Sequence, residues 1–254
     1  MPLPIVIECV ANIMPVVSTS EFQTTSWTLV RAAADSPTLD SREALATLCQ
    51  KYWPPVYTFI RGHGYDREHS QDLTQGFFAL VIEKNYLLKA DRTRGKFRAF
   101  LLTAAKHFLA NEWDRTNALK RGGGQISVSI DLADVEVWHA SAAVEKTTPE
   151  SLFLRRWALS LLEGVMAKLR SEFLAEGKVD EFDRLSVFLN KHSESVRYEA
   201  MAKEMGISSG ALRMSVHRIR QRYRRLLRAE IAETVAQPEE VDEELRFLLS
   251  VLST

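Results

Sequence analysis

Cysteine is nearly absent: Cys9 and Cys49 are the only two in 254 residues. That is too few for a disulfide scaffold, and no CxxC pair or Cys/His cluster suggests a zinc site. Two cysteines fit a reducing cytoplasm. Net charge is missing as well. The 33 Lys and Arg residues balance 33 Asp and Glu residues, so the overall balance suggests no nucleic-acid partner. Catalytic signatures are also lacking: the histidines are scattered, and neither HExxH, a P-loop nor Gly-x-Ser-x-Gly occurs. Gly122-Gly123-Gly124 follows the expected end of a helix, whereas a phosphate cradle needs a helix start. No enzyme activity, cofactor or metal is therefore expected. Repeats and low-complexity tracts are absent, and the apolar stretch 2–17 is too short and interrupted to span a bilayer. That stretch lacks a basic leading region, contains Glu8 and is broken by Pro4 and Pro15, which argues against a signal peptide. Residues 1–25 are expected to be a disordered extension, with Met14 as an alternative start.

What is present is a chain with 46% hydrophobic residues, enough for one or two sizeable cores. Its charge is balanced in sum but not in place. Between Lys203 and Arg228 lie Arg213, Arg218, Arg220, Arg222, Arg224 and Arg225, with Glu204 as the only acid. The stretch around them reads as a helix, a glycine turn and a second helix. Ala202 is small enough for a close helix crossing, and Gly206 tolerates positive φ. Ile207 is expected to plug the corner, and Ser208 or Ser209 to cap the second helix. Leu212, Val216, Ile219, Tyr223 and Leu226 share one face, while Arg213, His217, Arg220 and Arg224 share another. A helix-turn-helix with a buried stripe and a cationic stripe suits the DNA major groove.

The rest of the chain is also helical in period. A short helix is expected from Ser26-Trp27, then a stripe of Ala44, Leu45, Leu48, Tyr52 and Trp53 running into Pro54-Pro55, where a kink or fresh helix start is expected. Residues 66–83 carry Leu73, Phe77, Leu80 and Val81 as an apolar face. Residues 97–121 form a long helix with Phe97, Phe100, Leu101, Ala104, Phe108, Leu109 and Trp113 apolar, and Lys96, Arg98, Lys106, Arg115, Lys120 and Arg121 on a basic face. Residues 126–130 alternate like a short strand, without an evident partner. Thr148-Pro149-Glu150 is a helix start, with Leu152, Trp157, Leu161, Leu162, Val165, Met166 and Leu169 to be buried behind it. The expected fold class is all-α. Two small helical domains, 26–121 and 149–235, are joined by a flexible linker at 122–148 and followed by an acidic amphipathic tail, 236–254.

Three segments carry a family resemblance: Ser70-Gln71-Asp72-Leu73-Thr74-Gln75-Gly76-Phe77, Phe97-Arg98-Ala99-Phe100-Leu101, and Met205-Gly206-Ile207-Ser208-Ser209-Gly210-Ala211-Leu212. In this order and spacing they resemble the core-binding helix, the promoter-melting helix and the helix-turn-helix of an extracytoplasmic-function (ECF) sigma factor of bacterial RNA polymerase. Tyr52-Trp53-Pro54-Pro55-Val56-Tyr57 and Lys120-Arg121-Gly122-Gly123-Gly124 further resemble a planctomycete-type branch. The resemblance covers nearly all of 27–235. Ser70-Gln71 departs from the family's usual Ala-Glu, removing one acid from the core-binding face, and Met214-Ser215 replaces a frequent Ser-Arg pair.

The resemblance implies a sigma factor that binds core RNA polymerase and directs promoter recognition, DNA melting and initiation. Asp72, Leu73, Gln75 and Phe77 would contact the polymerase core. Lys96, Arg98, Lys106, Asn111, Trp113 and Arg115 would hold the −10 element during melting, as cations and platforms for an unstacked strand. Ser208, Ser209, Arg213, His217, Arg218 and Arg220 would lie on the −35 recognition helix, with Arg213 reading a base and Arg218 and Arg220 touching phosphates. Implied partners are core polymerase, promoter DNA and an anti-sigma or kinase regulator, in the cytoplasm and without a membrane. The alternative is a helix-turn-helix regulator acting without polymerase; a helical enzyme or scaffold stands third. In the tail, Glu239, Glu240, Asp242, Glu243 and Glu244 precede a stripe of Val241, Leu245, Leu248 or Leu249 and Leu252. The tail is expected either to cap a domain's core as a short helix, or to dock its leucines on a helical domain and set its acids near residues 218–228, moderating DNA binding until polymerase displaces it.

Overall fold

A computed structural model describes residues 27–34, 39–119, 148–189 and 195–253, and every regular element among them is helical. The fold class is all-α. First come α1 (Trp27–Ala34), α2 (Leu39–Arg61) and α3 (Arg67–Glu83). Two 3-10 turns, Tyr86–Lys89 and Arg92–Arg94, then lead into α4 (Phe97–Leu119). After them follow α5 (Pro149–Ala175), α6 (Val179–Ser186), α7 (Ser195–Glu204), α8 (Ser209–Ala232) and α9 (Val241–Ser253). The expected linker and the 126–130 strand lie outside the described residues.

Helix starts follow capping chemistry. Asp66, Thr148 and Ser208 each sit in extended backbone, and each side chain accepts from the amide three residues on. Pro149 supplies the first residue of α5, where its missing N–H costs nothing. Arg67–Glu83 is one unbroken helix.

Pro54 and Pro55 do not end α2. The helix runs through both, although each removes one N–H from the ladder. Burial offsets that loss: Val56, Tyr57, Phe59 and Ile60 have no accessible surface, and α2 lies at the centre of the aromatic packing. Trp53 stacks on Phe78 of α3 with centroids 5.5 Å apart. Tyr52 meets Phe97 of α4 edge-on at 5.2 Å, and Phe59 meets Phe153 of α5 at 6.4 Å.

The buried side chains form two clusters, and they do not divide at the expected linker. The first gathers α1 to α4 and also takes Phe153, Trp157 and Ala158 of α5, Ile231 of α8, and Val241 and Leu248 of α9. Leu169 and Phe173 of α5, Phe182, Leu185, Phe188, Ala202, Leu212, Val216 and Ile219 form the second. The 27-residue α5 spans roughly 40 Å and is apolar along its length, so it needs cover at both ends. It therefore belongs to both cores. α8 does the same in the opposite sense, and residues 149–235 are not a separate block.

Where α2, α5 and α8 meet, Glu230 is buried between two lysines, with Nζ of Lys168 at 2.8 Å and Nζ of Lys51 at 3.7 Å. Burial pushes Lys51 down to about 8, against the opposing pull of Glu230. Unfolded Lys51 titrates near 10.5, so between these pH values the unfolded chain holds more protons and stability rises with pH. Denaturant melts at about pH 7 and about pH 10 should show Lys51→Met more stable than wild type at the lower pH. That advantage, on the order of 3 kcal/mol, should shrink as the wild-type lysine loses its proton. An advantage that is the same at both pH values would contradict the buried-charge account.

Candidate nucleic-acid interface

α7 and α8 are joined by residues 205–208. Gly206 takes φ +65°, the left-handed region that lets the chain reverse in so few residues. Ala202 is buried at the crossing, and the Ile207 amide returns to its carbonyl at 3.0 Å. The Ile207 side chain does not plug the corner; it is exposed, and the turn is held by backbone bonds instead. The cap is Ser208, whose hydroxyl oxygen accepts from the Ala211 amide at 3.1 Å, while Ser209 opens the helix.

Leu212, Val216 and Ile219 bury one face of α8 as the spacing predicts. On the flank of that face Arg213, His217, Arg220 and Arg224, with Tyr198 of α7 and the edge of Val216, line an open cleft of about 360 Å³. The arginines of α8 then separate into two groups. Arg213, Arg218 and Arg224 are exposed and pair with no acid among the described residues. The others are used internally. Arg220 donates from Nε and Nη2 to the Phe188 carbonyl at 3.1 and 2.7 Å, tying α8 to the end of α6. Arg222 bridges Glu172 of α5 and Glu176 at its C-cap, each at 2.8 Å, and lies 4.5 Å from the Phe173 ring. Burial opposes ionisation of Glu172, but hydrogen bonds from Arg222 and Arg225 hold its carboxyl below the usual range. Arg225 pairs with Glu172 at 2.9 Å, and Arg228 with Asp242 of α9 at 2.6 Å. Arg220 is thus a strut, and its expected phosphate contact is withdrawn on that ground.

α4 divides likewise. His107, Asn111, Trp113 and Arg115 are exposed, and Arg115 pairs with Glu112 one turn earlier. Trp113 is 64% exposed and stands outside the apolar face assigned to it, since the buried face of α4 ends at Phe108 and Leu109. Lys106 pairs with Glu150 at the start of α5 at 2.8 Å, which lowers the Glu150 carboxyl. Arg98 points inward. It is 7% exposed, its guanidinium lies 4.3 Å from the Trp157 ring and 4.6 Å from the Phe247 ring, and both its terminal nitrogens meet Glu244. Lys96 reaches Glu240 at 2.7 Å and Glu244 at 3.7 Å. Neither Lys96 nor Arg98 belongs to an open basic face in this state.

On α3 the buried side is Ser70, Gln71, Thr74, Phe77, Phe78 and Val81. Phe77 has no accessible surface and packs on Phe78 and Phe108, so it cannot touch a partner. Gln71 faces the core too, so its replacement of an acid does not alter the outer face. Asp72, Leu73 and Gln75 are half-buried beside that stripe and remain a surface.

The sequence reading missed the struts because a side chain's partner on another helix leaves no periodic trace. Among the described residues no group of three or more His, Cys, Asp or Glu side chains is placed to hold a metal, and no helix is long and apolar enough to cross a membrane. No protein-family model, curated protein or solved structure matches the chain.

The two arginine groups should behave differently in one comparison. Arg220→Ala should lower stability by about 1–3 kcal/mol, because it strips a partly buried carbonyl of a charged donor. Arg213→Ala and Arg218→Ala should change stability by no more than about 0.5 kcal/mol, yet each should reduce the salt slope of DNA binding by about 1. Thermal melts and binding isotherms at several salt concentrations read both effects, and loss of slope in Arg220→Ala alone would reverse the assignment.

Proposed function

We propose that this chain is a sigma factor of the extracytoplasmic-function type, recruiting core RNA polymerase to promoters in the cytoplasm. The observation that carries this reading is the exposed ridge of Arg213, His217 and Arg224 on α8, one tight glycine turn after α7. Helix N-terminal halves set this way can enter a major groove, and guanidinium groups unengaged by acids are available to bases and phosphates. Support comes from α4, which exposes His107, Asn111 and Arg115 along one side, with an amide for a base edge and a cation for phosphate, and Trp113 on another side as a ring for stacking. The polymerase contact falls to Asp72, Leu73 and Gln75. In this reading the α7–α8 pair is the helix-turn-helix, promoter DNA and polymerase are the partners, and the chain performs no catalysis.

Run-off transcription with purified core polymerase and a genomic promoter library should yield specific transcripts that depend on this chain. Asp72→Lys should fold normally, since one surface charge rarely matters for stability, but should weaken core binding. Specific DNA binding without any association with core polymerase would instead make the chain a self-sufficient DNA-binding regulator.

A further inference from the structure

α9 carries its acids at one end and its apolar stripe along one side. Val241 and Leu248 are buried in the first core, with Leu245, Phe247, Val251 and Leu252 packed against it, so Leu248 rather than Leu249 completes the stripe. This anchor sets the preceding turn and first helical turn over cations from two separate helices. Glu240 and Glu244 meet Lys96 and Arg98 at the start of α4, and Asp242 meets Arg228 near the end of α8. Only the last contact falls within the 218–228 region expected from sequence. Hydrogen bonds from Lys96 and from Arg228 hold the Glu240 and Asp242 carboxyls below their usual ranges, as expected of charged partners.

The pairs differ in depth. Arg98 and Glu244 are almost inaccessible, whereas Lys96 and Glu240 are about a quarter to a third exposed, and Arg228 and Asp242 more than half. A strut needs only the buried pair. The outer pairs are solvated, so salt and competing anions reach them. Five carboxylates within residues 239–244 present the local charge density of a phosphate backbone, held beside their cations by the chain itself.

We infer that α9 is an intramolecular acidic clasp over a polyanion-binding surface formed by Lys96, Arg98 and Arg228. This rests on the nucleic-acid reading above. While the clasp is closed, the surface is neutralised and α4 is tied to α5 and α8. A nucleic-acid backbone competes for the same cations, the outer pairs yield first, and the buried Arg98–Glu244 pair sets the resistance to full release.

Deleting 236–254 would strip Val241 and Leu248 from the core, so the test uses the full chain with Glu240→Gln and Asp242→Asn together. Both carboxylates are at the surface, and the apolar anchor is untouched. Binding to an unrelated DNA duplex should become steeper in salt by about 1 to 2, because Arg228 loses its one acid while Lys96 keeps Glu244 at 3.7 Å. Its affinity advantage over wild type should fall about three- to tenfold between 50 and 200 mM salt. Hydrogen exchange of residues 241–253 in the wild-type chain should accelerate when the duplex is added. A folded double variant with the wild-type salt slope overturns the clasp, as does DNA-bound wild type with unchanged protection of 241–253. An Arg213→Ala, Arg218→Ala control separates the two ideas. If that control loses no binding, the nucleic-acid reading falls; if it loses binding while the double variant matches wild type, only the clasp falls.

Discussion

Arg98 is the joint on which the arrangement of this chain depends. Its guanidinium is held between the rings of Trp157 and Phe247 and gripped by Glu244, so one side chain of α4 engages α5 and α9 together. A buried charge is tolerated only with a partner and good geometry, because desolvation costs several kcal/mol per ion. Two aromatic faces and a bidentate carboxylate meet that demand. The consequence is directional. α9 must dock in one register for Glu244 to arrive, and that register also delivers Leu248 to the core and Asp242 to Arg228. An apolar replacement would fill the same space without specifying the register.

The same economy governs the arginines of α8. A run of cations along one helix looks uniform, yet a helix in a packed bundle offers only part of its circumference to solvent. Arg222 and Arg225 turn toward acids of α5, and Arg220 spends its donors on a backbone carbonyl of the α6 end. What remains available is the ridge of Arg213, His217 and Arg224 and the neighbouring Arg218. The cationic surface left open is therefore narrower than the charge count implies. It is also better held, since the struts fix the axis of the helix that carries it.

α5 and α8 explain why the two cores are mechanically linked. Each runs from one cluster to the other, and Glu230 with Lys51 and Lys168 joins them again to α2. Contacts made by α3 and by α8 on outside partners would thus be felt through continuous helices. In the reading proposed above, polymerase contact and DNA contact would be borne by one connected framework, with α9 lying across the joint.

The sequence by itself determined the all-α class, most helix limits, the Gly206 turn, the Thr148 cap, a serine cap at 208 or 209, and the Leu212, Val216 and Ile219 part of the buried stripe of α8. These are local properties: a period of 3.6, a tolerated φ, or an oxygen three residues from an amide can be read within a few positions. Tertiary structure decided which charges are surface and which are struts, why Phe77 and Gln71 face inward, why Trp113 faces outward, and where the tail rests. It also carried α2 through Pro54 and Pro55, where burial outweighed a local rule. Those outcomes depend on partners on other helices, from 14 residues away, as with Arg228 and Asp242, to nearly 150, as with Arg98 and Glu244. A one-dimensional pattern records that a position is cationic or apolar, while the packing of distant helices selects its partner.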